Sequence, residues 1–235
     1  MSILLSPSRT RIKICGLTRE ADVDAAVHAG VDAIGFVLYP PSPRAVSAVR
    51  AGQLARRLPP FVTPVLLFVN PDPKEVHAAC SQVQGATLQF HGDETQEFCL
   101  QFQHSLHQPF LKAARIPLGG AGNAFDLLEY VSLYSAAQAL LLDAHVEGFG
   151  GGGQAFDWSL LPKNVNAHLV LSGGLNAANV TEGIRHLRPK CLSLGVDVSS
   201  GVEAMGADGL VQKGLKDAEK IAQFVAAVRA ADLHT

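Results

Sequence analysis

Eight short apolar runs, RIKIC, AIGFVL, VTPVLLFV, ATLQFH, PFLKAA, ALLLD, HLVLS and CLSLGV, recur along the chain, each bounded by polar or glycine-rich residues and followed by helical spacing. Runs this short and continuous suit strands buried on both faces, and such strands belong to parallel sheets covered by helices. If they end near Cys15, Leu38, Val69, His91, Ala114, Asp143, Ser172 and Val196, every interval holds one strand and one helix. READVDAAVHAG places Ala21, Ala25 and Ala29 at four-residue spacing before the stop signal Gly30. DPKEVHAAC and NAANVTEGIRHL read as amphipathic helices, with Asn176 as N-cap of the second, and DAEKIAQFVAAVRA gathers Ile221, Phe224, Val225 and Val228 on one face as an eighth helix. The interval after ALLLD is the weakest, since only DWSLLP remains there for a helical turn. With no Pro/Ser linker dividing the units, the pattern predicts an α/β single domain, a (β/α)8 TIM barrel over residues 11–235 after an N-terminal extension at 1–10. A doubly wound open sheet is the alternative; the even count and the missing glycine fingerprint after the first strand count against it.

Composition narrows the partners. The net charge of −2, from 19 basic and 21 acidic residues with no long run of one sign, leaves no electrostatic footprint for nucleic acid or an anionic membrane. A small molecule is the expected ligand. Cys15, Cys80, Cys99 and Cys191 lack CxxC spacing and read as reduced thiols of a cytoplasmic protein, with neither a zinc site nor a disulfide framework suggested. The opening MSILLSPSRT does not make a signal peptide, and no run approaches the roughly 18 apolar residues of a membrane span.

In such a barrel the active site sits at the carboxyl ends of the strands. Alternation puts Arg11, Lys13 and Cys15 on one face of the first strand and Ile12 and Ile14 on the other, so Cys15 is expected to point into the mouth, with Gly16 turning the chain away. Cysteine in a strand is also a common small hydrophobe. ALLLD ends the same way on Asp143, three strand positions from Cys15 around the ring; an Asp there also suits a turn or a cap. Two groups facing each other across a mouth suit the taking and giving of protons on opposite sides of a substrate. LSGGLNAANV and LGVDVSSGVE follow the seventh and eighth strands, where barrels often bind phosphate through backbone N–H groups; ordinary turns account for either segment alone. Ser200 and Glu203 match an S-x-x-E capping box. GFGGGG at 148–153 satisfies a dinucleotide glycine pattern but opens no helix, so a loop over the mouth is the better reading. The proline-rich YPPSPRAVS presents Arg44, either as solvated surface or as a two-point grip on a carboxylate. His91 either lines the mouth or is a structural histidine bonded to backbone. Lys13 either assists Cys15 electrostatically or forms a salt bridge inside the barrel.

The segment KICGLTREADVDAAVHAGVDAIGFVLYPPSPRAVS resembles the opening of the phosphoribosylanthranilate isomerases of tryptophan biosynthesis. The resemblance runs on through LQFHGDE, LLLDAHVEGFGGGGQAFDW, LSGGLNAANV and GVDVSSGVEAMGADGLVQKGLKDAEKI, over nearly the whole chain. It implies an Amadori rearrangement of an aminoaldose phosphate to an aminoketose, with no cofactor and no metal. Carried over residue by residue, it makes Cys15 the general base and Asp143 the general acid, sets Arg44 on the anthranilate carboxylate, and builds the phosphate site from Gly173, Gly174, Ser199, Ser200 and Gly201. His91 joins the substrate-binding candidates at the mouth. Either a monomer or a homodimer is compatible with it. One departure is the loop before FDW, GGGGQ here where the family typically carries a Thr or Ser and often a Lys, which implies altered loop order or affinity. The related histidine-pathway isomerase calls for a carboxylate where Cys15 stands. A noncatalytic phosphosugar-binding barrel is the alternative of a different class.

Overall fold

The computed structural model describes residues 9–117, 125–145, 158 and 161–233. Eight parallel strands close in sequence order into a barrel: β1 (Arg11–Cys15), β2 (Ala33–Val37), β3 (Thr63–Phe68), β4 (Thr87–Phe90), β5 (Phe110–Pro117), β6 (Ala139–His145), β7 (His168–Leu171) and β8 (Ser193–Val198). All eight expected strands are therefore present. β5 and β6 run past Ala114 and Asp143, because their seven-residue ladder continues from Leu111–Ala139 to Pro117–His145.

Helices follow the strands: α1 (Glu20–His28), α2 (Ala48–Ala55), α3 (Pro73–Gln82), α4 (Gln96–Leu106), α5 (Leu127–Leu133), α6 (Val180–Leu187) and α7 (Ala218–Leu233). Their starts are written locally. Ser47, Asp72, Thr95 and Asp126 each accept a backbone N–H of the first turn, and Asp72 with Glu75 completes a capping box around Pro73.

Several local expectations give way to tertiary packing. In α1 the buried stripe is Asp22, Val23 and Ala26 rather than the Ala21, Ala25, Ala29 row, because the Asp22 carboxylate accepts from Arg19 and from the Lys216 N–H. Asn176 does not cap α6. Its side chain closes a turn on the Ala178 N–H, its backbone carbonyl accepts from Val180, and the helix begins after Asn179. Among the described residues α7 is the seventh α-helix, with none between β6 and β7; Ile221, Phe224, Val225 and Val228 are buried on it as expected. Residues 148–153 lie outside the described residues. After β8 the chain makes one 3-10 turn, Ser200–Val202, and then an antiparallel hairpin that the sequence reading did not contain, β9 (Glu203–Met205) with β10 (Val211–Lys216).

The main core lies between the sheet and the helices. It takes Ile12 and Ile14 from β1 and Leu140 and Leu142 from β6, and Phe90 stacks within 6.2 Å of Phe68, Phe98, Phe102 and Phe110 across three strands and α4. Inward-pointing residues are left to the barrel interior. No helix among the described residues is long and apolar enough to cross a membrane.

Candidate active site

Cys15 closes β1 with 4% of its surface exposed, and it packs with Val37, Leu67 and Val69 in a small apolar cluster apart from the main core. It points into the barrel while Ile12 and Ile14 face the helices, as alternation requires. Its partner across β2 is Gly35, where a Cβ would fall 2.7 Å from the sulfur. Gly16 turns the chain at φ +77°, and the space beside it holds the Arg44 stem, 2.6 Å from where a Cβ would sit.

Two residues back along the same face, Lys13 Nζ lies 2.9 Å from Asp197 Oδ2, both side chains being about 6% exposed. The contact is charge at short range rather than an aligned hydrogen bond: among the described residues neither Lys13 Nζ nor Asp197 Oδ1 has a hydrogen-bond partner. The salt bridge inside the barrel is thereby present for Lys13. Burial pushes the Cys15 thiol above its ordinary value, Lys13 pulls it back, and Asp197 pushes it up again, the net direction being upward. For Lys13 burial opposes the charge, but Asp197 and Cys15 outweigh it and hold the ammonium above its usual range.

Across the mouth, Asp143 on β6 is 6% exposed and has both oxygens engaged. Its Oδ1 accepts the Ala144 N–H at 3.0 Å, and its Oδ2 lies 2.9 Å from His91 Nε2. His91 follows β4, and its Nδ1 lies 3.0 Å from Gln89 Nε2, so both ring nitrogens are bound to side chains. The backbone-bonded alternative for the His91 ring is therefore set aside, its two nitrogens lying against Gln89 and Asp143. The turn after His91 is itself fixed. Lys112 Nζ donates to Gly92 O at 2.7 Å and pairs with Glu94 at 2.9 Å, while Glu94 accepts from the Gly92 and Asn70 N–H groups.

Of the two readings of Arg44, solvated surface gives way to a two-point grip on a carboxylate, and that carboxylate belongs to the protein itself. Arg44 is 7% exposed rather than presented to solvent, and its fork is already used: Nε and Nη2 donate to Glu203 Oε1 and Oε2 at 2.7 and 2.8 Å. The capping box expected of Ser200 and Glu203 is absent for the same reason, since the Glu203 carboxylate is spent on Arg44, on Lys216 at 3.3 Å and on the Gly214 N–H at 2.8 Å. Burial alone would raise the Glu203 carboxyl, but these donors, Arg44 foremost, hold it below the usual range.

The two glycine segments meet. Gly173 and Gly174 have φ of +78° and +63°, and a Cβ on Gly173 would lie 2.7 Å from Asp143 Oδ1. A Cβ on Gly201 would collide with Leu175 O, so the turn after β8 rests directly on the loop after β7. Ser200 opens the 3-10 turn. Ser199 directs its hydroxyl to Cys15 O at 3.0 Å and receives Lys216 Nζ on its carbonyl at 2.9 Å, tying the glycine segment to the thiol strand.

Gln89, Asp197, Glu203 and Lys216 are thus part of the site without having been singled out as such. Alternation could have found two of them: Gln89 shares a face with His91, and Asp197 pairs in register with Lys13. A separate cavity of about 690 Å³ opens at the opposite end among first residues of the strands, including Arg11, Ala33, Thr63 and His168, and neither Cys15 nor Asp143 lines it. Among the described residues no group of three or more His, Cys, Asp or Glu could hold a metal ion.

With this geometry the chain matches, over residues 12–227, the family model described as N-(5'-phosphoribosyl)anthranilate isomerase. It belongs to that family. Relatives bearing the family's name include one from Methylibium petroleiphilum, 59% identical over 95% of this chain and 96% of the relative, and one from Leptothrix cholodnii, 57% identical over 98% and 96%. Among solved structures, the phosphoribosylanthranilate isomerase of Thermotoga maritima superposes with a TM-score of 0.75 at 36% identity, covering 94% of this chain and 99% of that one. Another, solved with reduced 1-(o-carboxyphenylamino)-1-deoxyribulose 5-phosphate, gives 0.72 at 34% identity with the same coverage. As a member of the phosphoribosylanthranilate isomerase family, the protein is an isomerase on a TIM barrel.

Proposed function

We propose that the protein converts N-(5'-phosphoribosyl)anthranilate into 1-(o-carboxyphenylamino)-1-deoxyribulose 5-phosphate in tryptophan biosynthesis, with Cys15 as general base and Asp143 as general acid. The observation that carries this reading is the placement of one thiol and one carboxyl, each almost wholly buried, on inward faces at the carboxyl ends of β1 and β6 in a chain of this family. Asp143 protonates the ring oxygen as the bond from that oxygen to C1 breaks and the nitrogen lone pair forms the C1=N Schiff base. The Cys15 thiolate then removes the C2 hydrogen. Its electron pair forms C1=C2 while the C1=N pair returns to nitrogen, and ketonisation of the enolamine then takes the proton from Cys15 onto C1 as the C2 hydroxyl proton passes to Asp143, restoring both groups. Each step is a proton transfer with the atoms of the substrate conserved.

The remaining groups bind. Gly173, Gly174, Ser199, Ser200 and Gly201 receive the phosphate through backbone N–H groups where the two loops meet. Arg44 serves the anthranilate carboxylate through its remaining edge, because Nη1 makes no hydrogen bond among the described residues while Glu203 holds the other two nitrogens. His91 acts through Asp143. The phosphosugar is the partner on this reading, in a cytoplasmic setting.

Purified protein is expected to consume freshly generated N-(5'-phosphoribosyl)anthranilate, followed as loss of its fluorescence. Saturable binding of the phosphosugar with no loss of signal would instead leave a binding module.

A further inference from the structure

The Gln89 side chain is fully buried, and its amide is paired at one end only. Nε2 meets His91 Nδ1 at 3.0 Å, whereas Oε1 has no hydrogen-bond partner among the described residues. His91 in turn reaches Asp143 Oδ2 at 2.9 Å. An amide N–H can only donate, so in this arrangement Nδ1 is the accepting nitrogen, Nε2 carries the hydrogen, and His91 donates to Asp143 in its carboxylate form. Turning the amide by half a revolution presents Oε1 to Nδ1. That selects the other tautomer, whose Nε2 lone pair accepts a proton held by Asp143.

The two orientations are close in cost. Each leaves one buried end of the amide unpaired, and the terminal torsion of Gln is broad and roughly two-fold. His91 is neutral in both. The charged neighbours are matched among themselves, Lys112 with Glu94 and Arg115 with Asp93, so the strand and turn beside His91 bring it no unpaired charge among the described residues.

We infer that Gln89 is a positioning residue whose amide sets the His91 tautomer, and through it the direction of the hydrogen bond between His91 and Asp143. Resting on the acid role proposed for Asp143, this lets the carboxyl lose and regain its proton without a second charge forming in the mouth.

The test reads the ring nitrogens of His91 by 15N NMR in ligand-free protein near neutral pH, beside kcat and KM. Wild type is expected to show Nδ1 unprotonated and Nε2 protonated. Gln89→Glu, read at a pH where the introduced carboxyl is ionised, offers only acceptors, so Nδ1 becomes protonated, and kcat falls about tenfold or more while KM stays within about threefold. Gln89→Leu, which keeps the volume and removes both partners, yields a mixture of tautomers and a smaller loss of kcat. Nδ1 remaining unprotonated in Gln89→Glu overturns the inference, and so does an unchanged wild-type tautomer in Gln89→Leu should the Glu variant not fold. A changed tautomer with unchanged kcat, while Asp143→Asn is inactive, overturns the link to catalysis. A changed tautomer with Asp143→Asn fully active supports the positioning by Gln89 and overturns the acid role of Asp143 instead.

Discussion

The two sides of the barrel mouth are built from different materials. Around Cys15 an apolar cluster of Val37, Leu67 and Val69 is flanked by ions: Lys13 and Asp197 below it, and beyond Ser199 the buried set of Lys216, Glu203 and Arg44. Around Asp143 the direct neighbours are hydrogen-bonding groups rather than lysine, arginine or carboxylate side chains, the Ala144 N–H and the His91 ring, with Gln89 behind. The thiol and the carboxyl each nonetheless have a glycine against them, Gly35 beside the sulfur and Gly173 beside Asp143 Oδ1. A thiol in an apolar cluster resists ionising, and only a nearby positive charge offsets that. A carboxyl that must hold and release a proton is better served by neighbours able to reverse a hydrogen bond than by a fixed cation, which would keep it ionised.

The largest effects are expected where the two sides act together. Cys15→Ala and Asp143→Asn should each lower kcat by about 10²–10⁴-fold. Affinity for a phosphosugar product analogue should stay within a few fold, as measured by titration. Wild-type kcat in Cys15→Ala would remove the thiol from the mechanism and end the comparison.

The ionic side should also be the more fragile in folding. Glu203→Ala leaves Arg44 and Lys216 facing each other with no counter-ion between them, and removing one partner of a buried pair costs about 3–5 kcal/mol. Urea unfolding reads that loss. A change below about 1 kcal/mol would mean that water replaces the carboxylate and that the cluster is not a structural hub.

A smaller effect separates charge from packing. Burial and Asp197 already push the Cys15 thiol up against the pull of Lys13, so on the proposed mechanism wild-type kcat/KM should still be rising with pH beyond the ordinary thiol value of about 8.5, because a thiol acts as a base only when deprotonated. Lys13→Met removes the larger of the two lowering influences on the thiol, leaving the weaker pull of Lys216. The rise should move further to alkaline pH, with about a tenfold loss near pH 7 that shrinks as pH increases. A loss of equal size at every pH would show that Lys13 acts only through packing.

Much of this was legible in the strands and little of it in the pairings. Alternation in RIKIC and ALLLD correctly turned Cys15 and Asp143 inward, since a side chain's face in a strand follows from its parity alone. The same rule failed to announce that Arg44 would be held by Glu203, which is distant in sequence, or that the SSGVE segment would give its acidic residue to that arginine rather than to a helix cap. Local signals describe what a residue can do with its neighbours in the chain, and a buried guanidinium outcompetes a backbone N–H for a carboxylate. α1 shows the same override. Its alanine row looked like the packing face, yet Asp22 is the residue drawn inward, toward Arg19 and the end of β10.

The sequence by itself determined the eight-fold repeat, the barrel that closes it, and which strand ends carry sulfur and carboxyl, because periodicity and strand parity are properties of a chain read in one dimension. Only the tertiary structure decided which charges neutralise one another, which hydroxyl anchors the β1 end and which histidine nitrogen faces Asp143. Those choices depend on distances between residues far apart in the chain, in an interior where a buried polar group must find its partner or stay unpaired.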